Sequence, residues 1–131
     1  MDRIDIHIEV PSVPFDELSS KSERGTSSEE MRTDVKRARE VQAERFADGP
    51  SEVRYNAQMT SRQVREHCAL NDSCRKMLRH SVEEMGLSAR AHDKILRVCR
   101  TIADIAGDQS ISEIHLAEAI NYRNLDRDLW V

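Results

Sequence analysis

Apolar residues recur along most of this chain at helical spacing, most clearly in the stretch GLSARAHDKILRVCRTIADIAG, residues 86–107. Ser88 stands where a helix N-cap belongs and Gly107 where a terminator belongs. Between them, Ala91, Ile95, Val98, Cys99, Ile102 and Ala106 form one buried stripe. At 100° per residue, Arg90, Lys94, Arg97 and Thr101 fall within an arc of roughly 60° on another side of the same cylinder. The helix therefore has a core face and a cationic face. Backbone N–H groups already place partial positive charge at its start, and Arg90 adds a guanidinium in the first turn, an arrangement suited to a phosphate. A charged stripe opposite a core stripe is also what any amphipathic helix shows, so the stripe alone establishes no site.

The periodicity continues on both sides. Thr60 and Gln63 make a capping box for a short helix that turns Val64, Cys68 and Leu70 inward. Asn71 or Asp72 caps the next helix, whose Cys74, Met77, Leu78, Ser81, Val82 and Met85 keep the spacing of a buried face. Gly86 fits a left-handed terminator there, with Leu87 folding back. Ser112 caps a last helix, with Ile111 and Leu116 placed as a hydrophobic staple and Leu116, Ala119 and Ile120 buried. Short connections between these helices predict a compact bundle over residues 60–131.

The N-terminal third reads differently. Residues 2–10 alternate strictly, Ile4, Ile6, Ile8 and Val10 facing one way and Arg3, Asp5, His7 and Glu9 the other. That predicts a strand with one buried face. Every later apolar pattern is helical, so the strand lacks a partner and is expected to be cut from a larger protein, with an edge open to self-pairing. Pro11 and Pro14 open a loop. Ser27 and Glu30 then cap a long charged helix running to about Phe46, with Met31, Val35, Ala38, Val41 and Phe46 as a thin apolar stripe. Its Arg32, Arg37, Arg39 and Arg45 alternate with Glu30, Asp34, Glu40 and Glu44, which suggests ion pairing within the helix. A linker follows, with Tyr55 and Met59 as expected anchors. The expected fold class is thus all-α, a helical bundle preceded by one orphan β-strand and a long charged helix. Its expected divisions are 1–27, 28–59 and 60–131.

Composition narrows the reading without redirecting it. A chain of 131 residues accommodates one domain with a real core, and its formal net charge of −4 announces neither nucleic acid nor an acidic membrane surface. Cys68, Cys74 and Cys99 are odd in number, form no C-x-x-C pair and fall on apolar helical positions, as small core residues in a reducing compartment do. No apolar run approaches membrane-spanning length and no signal peptide opens the chain, so a cytoplasmic protein without membrane contact is expected. His7, His67, His80, His92 and His115 follow no metal-ligand spacing, and no G-x-S-x-G elbow supports a catalytic serine.

The segments DRIDIHIEVP, VKRAREVQAERF, NAQM, GLSARAHDKILRVCRTIADIAG and ISEIHLAEAINYRNLDR, in that order, resemble the C-terminal part of the magnesium-chelatase-like AAA+ ATPases, of the competence-associated ComM or YifB type. The resemblance covers nearly the whole chain. It implies a helical lid closing over the nucleotide of a AAA+ module, preceded by the last strand of its α/β core. It also implies that Arg90 is the sensor 2 residue facing an ATP phosphate and that Arg3 resembles an arginine finger acting in trans; Arg97, on the same cationic face as Arg90, is a weaker candidate contact to ATP. ATP and magnesium would be held mainly by the core, because the chain has no G-x-x-x-x-G-K-[ST] loop and no paired acidic motif for the metal. The implied partners are that core, a homo-oligomeric ring (a hexamer) and DNA; the implied work is DNA remodelling or branch migration in natural transformation. A rival from another class is a free-standing helical module that binds nucleic acid or protein through Arg90, Lys94, Arg97 and Arg100.

Overall fold

A computed structural model describes residues 4–8, 26–49 and 51–123. Among these are five α-helices, namely α1 (Ser28–Arg45), α2 (Ser61–His67), α3 (Asp72–Met85), α4 (Ala89–Ala106) and α5 (Glu113–Asn121), with a 3₁₀ turn at Asn56–Gln58. Each helix begins where its capping chemistry predicts. Ser27 Oγ accepts from the Glu30 amide at 3.1 Å while Glu30 Oε2 accepts from the Ser27 amide at 3.2 Å. Thr60 and Gln63 exchange the same pair of bonds at 3.2 and 2.9 Å. Asn71, not Asp72, caps α3 by accepting from the Cys74 amide at 2.8 Å, and Ser88 caps α4 by accepting from the Ala91 amide at 3.1 Å. Gly86 and Gly107 end α3 and α4 with φ of 63° and 79°, a left-handed conformation that a side chain would strain.

The core lies along α4, which packs on α1, α2, α5 and the 3₁₀ turn, while α3 packs on α5. Ile95, Cys99 and Ala103 on α4, Cys74 on α3 and Leu116 on α5 are fully buried. Val64, Cys68, Leu78, Ile111 and Ala119 are buried with them, but on α4 Ala103, outside the expected stripe, is buried where Ala106, within it, is exposed.

The expected orphan strand is absent among the described residues. No β-strand occurs among the described residues, and residues 4–8 run irregularly beside the end of α5. Their polar backbone is served by helix-end chemistry instead of a ladder: the His7 amide donates to the Tyr122 carbonyl at 2.6 Å, and the Arg123 guanidinium donates to the Ile4 carbonyl. Carbonyls at a helix C-terminus have no intrahelical donor, so an extended segment can use them where no second strand is available. The facing is also the reverse of the alternation pattern, since His7 is buried and Ile4, Ile6 and Ile8 are exposed. Arg3, Glu9 and Val10 lie outside the described residues.

Two further expectations change. On α1, Met31, Val35 and Val41 are exposed, and the buried positions are Ala38, Gln42 and, just past the helix, Phe46. In the linker, Met59 is an anchor as expected, but Val53 and Asn56 are buried where Tyr55 is exposed. Both changes have one cause, a buried polar cluster around Asp104. Arg45 donates two hydrogen bonds to its two carboxylate oxygens at 2.8 and 2.7 Å. Asn56 Nδ2 donates to it at 2.9 Å and Arg100 Nε at 3.2 Å. Gln42 Oε1 accepts from the Asn56 amide at 3.0 Å. The rest of the Arg100 guanidinium donates to the carbonyls of Asp108 and Gln109 at 2.7 and 2.8 Å, beyond the end of α4. Arg45 therefore pairs across helices, not within its own.

Burial pulls the Asp104 pKa up, but the hydrogen bonds from Arg45 and Asn56 and the charges of Arg45 and Arg100 outweigh it, so the carboxyl titrates below its ordinary value. Its folded pKa is therefore below the unfolded value of about 3.9. The carboxylate's contribution to stability is complete above that unfolded value and is lost as the pH falls through the folded one. Asp104→Asn should lower stability at neutral pH by about 3–5 kcal/mol, because two arginines are left without their counter-charge. It should also flatten the acid limb of stability against pH. Urea titrations of both proteins across that range are the check, and coincident curves would show the cluster to be dispensable.

Candidate functional site

The N-terminal half of α4 presents the expected cationic face. Ser88 fixes where the helix starts, which places Arg90 in the first turn, exposed to solvent, with Lys94 and Arg97 one and two turns further on. All three line a cavity of about 670 Å³, and Ile6, Ile8, Val98 and Ile102 are among its apolar walls. Asp5, Asp93 and Glu118 line it as well, so carboxylates stand among the cations, and a phosphate held there would have Arg90, Lys94 and Arg97 as its donors.

Within that face the three cations are not equivalent. Lys94 forms an ion pair with Asp5, which lies across the cavity on the segment 4–8. Arg97 is braced, its Nε donating to Asp93 Oδ2 at 2.6 Å and its Nη1 to the carbonyls of Asn56 and Ala57 at 3.3 and 3.1 Å. Thr101 Oγ1 donates to the Arg97 carbonyl at 2.9 Å and accepts from Asn56 Nδ2 at 3.0 Å. Arg97 thus links the wall of the cavity to the Asp104 cluster. Arg90 is the most exposed of the three, open to solvent where Lys94 and Arg97 are partly covered. Arg100, grouped with the basic face in the rival reading, is buried in the Asp104 cluster and is withdrawn from any surface. The structure brings Arg90 and Arg97 together, whereas Arg3 lies outside the described residues.

Asp5 and the Asp104 cluster were missed by sequence reasoning. The helical period gave no signal for Asp104: at 100° per residue it falls about 20° from Arg97, on the polar side of α4 and away from the apolar stripe.

Other chemistry is not assembled. Among the described residues no group of three or more His, Cys, Asp or Glu is placed to hold a metal ion, and no helix is long and apolar enough to cross a membrane. His115 caps α5, its Nδ1 accepting from the Ser112 amide at 3.0 Å while Nε2 meets Asp108 Oδ2 at 2.9 Å. Nδ1 is thereby an acceptor, which puts the proton on Nε2.

Residues 25–123 match the family described as magnesium chelatase, subunit ChlI C-terminal, and the chain belongs to that family. It is 40% identical over 127 residues to competence protein ComM of Haemophilus influenzae, an alignment covering 97% of this chain and 24% of that protein. Over the same length and the same shares it is 36% identical to the protein YifB of Escherichia coli K12 and 35% to YifB of Salmonella typhimurium. The chain spans about a quarter of the length of these relatives. It corresponds to the magnesium-chelatase-like C-terminal lid of a ComM/YifB-type AAA+ ATPase, and the motifs of the catalytic core are not in it.

The cysteines do not contribute to the site. Burial pushes the thiol of Cys68 up to about 11 and that of Cys99 up to about 12, and raises that of Cys74 as well. At neutral pH all three should stay unreactive toward a thiol reagent such as dithionitrobenzoate until the protein unfolds. Labelling kinetics read this directly: a fast phase in the native protein would contradict the packing around α4.

Proposed function

We propose that this lid closes over ATP bound by the core of an oligomeric AAA+ ring, with Arg90 as the residue that senses the nucleotide. The observation that carries this reading is the position of Arg90: first turn of α4, exposed, and lining a cavity with Lys94 and Arg97. Phosphoryl transfer places negative charge on the transferring oxygens, and arginine meets it with a planar cation that does not titrate. Arg97, braced by Asp93 and the 3₁₀ turn, holds the wall of the cavity and makes at most a secondary contact. Arg3 acts in trans as the arginine finger of a neighbouring subunit. ATP and its magnesium are held mainly by the core. The ring works in the cytoplasm on DNA, remodelling it or driving branch migration in natural transformation. What supports that setting is the name of the ComM relative alone.

Arg90→Ala, made with the lid joined to its ATPase core, should leave thermal unfolding unchanged, because the side chain is exposed, and lower ATP turnover roughly 10²-fold. Arg3→Ala, which removes the trans-acting finger, should cost about 10³-fold or more. Steady-state ATP hydrolysis measures both, and normal turnover in the Arg90 variant defeats the assignment.

A further inference from the structure

Away from Arg90, a larger cavity of about 860 Å³ opens between α2, α3 and α4. Leu70, Val82 and Leu96, each partly covered, form its apolar floor. Arg65 from α2 and Arg75, Lys76 and Arg79 from α3 line its rim, all exposed. The acids in the lining are Asp72 and Glu83, so the rim is net positive in a chain whose formal charge is −4. Asp72 approaches Arg75 at 4.0 Å with both side chains exposed, a contact that neutralises little. The lining contains no Phe, Tyr or Trp, hence no ring on which a base would stack. An apolar floor under a cationic rim calls for an acidic helix carrying an apolar side chain.

The chain itself presents such a helix. α5 buries His115, Leu116 and Ala119 and turns Glu113, Ile114, Ala117 and Glu118 outward. Ile114 is 81% exposed, the most of any large apolar side chain among the described residues. We propose that the groove receives α5 of a second copy of this chain, with Ile114 entering the floor between Leu70, Val82 and Leu96. Glu113 and Glu118 then face the rim arginines and Lys76. The apolar insertion supplies affinity, and the charges supply orientation. In the ring proposed above each copy gives its knob to one neighbour and takes another's, a heterologous contact that closes a ring or extends a filament. This names a subunit contact for the oligomer proposed above and rests on that reading.

The test is sedimentation velocity on the chain, without nucleotide, using two exposed-surface variants whose circular dichroism should match the parent: Ile114→Asp, and the double variant Arg75→Glu with Arg79→Glu. The parent should form concentration-dependent oligomers and each variant alone should stay monomeric. An equimolar mixture of the two should form dimers and nothing larger, because such a pair retains one working groove and one working knob. A parent that stays monomeric, a mixture that does not associate, or a groove variant that associates like the parent overturns the proposal. So does a monomeric parent whose groove binds an acidic peptide or DNA, which assigns the groove to that partner instead. With ATP absent, a failure here leaves the role of Arg90 standing, and a failure of Arg90 in ATP turnover leaves this contact standing.

Discussion

A single carboxylate, Asp104, sets the geometry of this lid. It is fully buried near the end of the central helix, where an isolated charge would be prohibitively costly, so the surrounding structure must supply cations and donors in fixed positions. Arg45 reaches it from α1, Asn56 from the 3₁₀ turn, and Arg100 from one turn earlier on α4. These contacts attach three separate stretches to one point. They also explain why α1, whose Met31, Val35 and Val41 stay in solvent, is held against the bundle at its C-terminal end. Its attachment is ionic and directional where its apolar stripe is too thin to hold it.

That attachment reaches the functional face. Asn56, held by Asp104 and Gln42, bonds Thr101, and the carbonyls of Asn56 and Ala57 receive Arg97. The wall of the cavity is therefore fixed by the same network that secures the end of α4, while Arg90 stands on the opposite end of that helix. A helix anchored along its length holds Arg90 on a rigid support. The segment 4–8 adds an anion to this face through Asp5, so the lid's cationic stripe is partly neutralised from within. The same internal engagement of Lys94, Arg97 and Arg100 argues against a broad basic surface for nucleic acid.

Much of this was determined by the amino-acid sequence alone. Helix starts and stops are local events: a Ser, Thr or Asn side chain bonding an amide three residues on, or a glycine taking positive φ, needs no distant partner. The inward stripes of α2 to α5 were legible for a similar reason, because hydrophobic burial follows period and is indifferent to direction. The first-turn position of Arg90 followed from Ser88 in the same way.

What only the tertiary structure decided depends on partners distant in sequence. The alternation of residues 4–8 was real, but alternation names a strand only if a second strand takes its hydrogen bonds; here the end of α5 took them, and His7 turned inward in place of the isoleucines. Arg45 had acids within reach on its own helix, yet its partner is Asp104, 59 residues away, because a desolvated carboxylate outcompetes an exposed one for a cation. Charge pairing at the surface is a local and weak preference, whereas pairing in the core depends on which chain segments meet there. The sequence determined which helices form, and the packing around α4 determined which charges they bury.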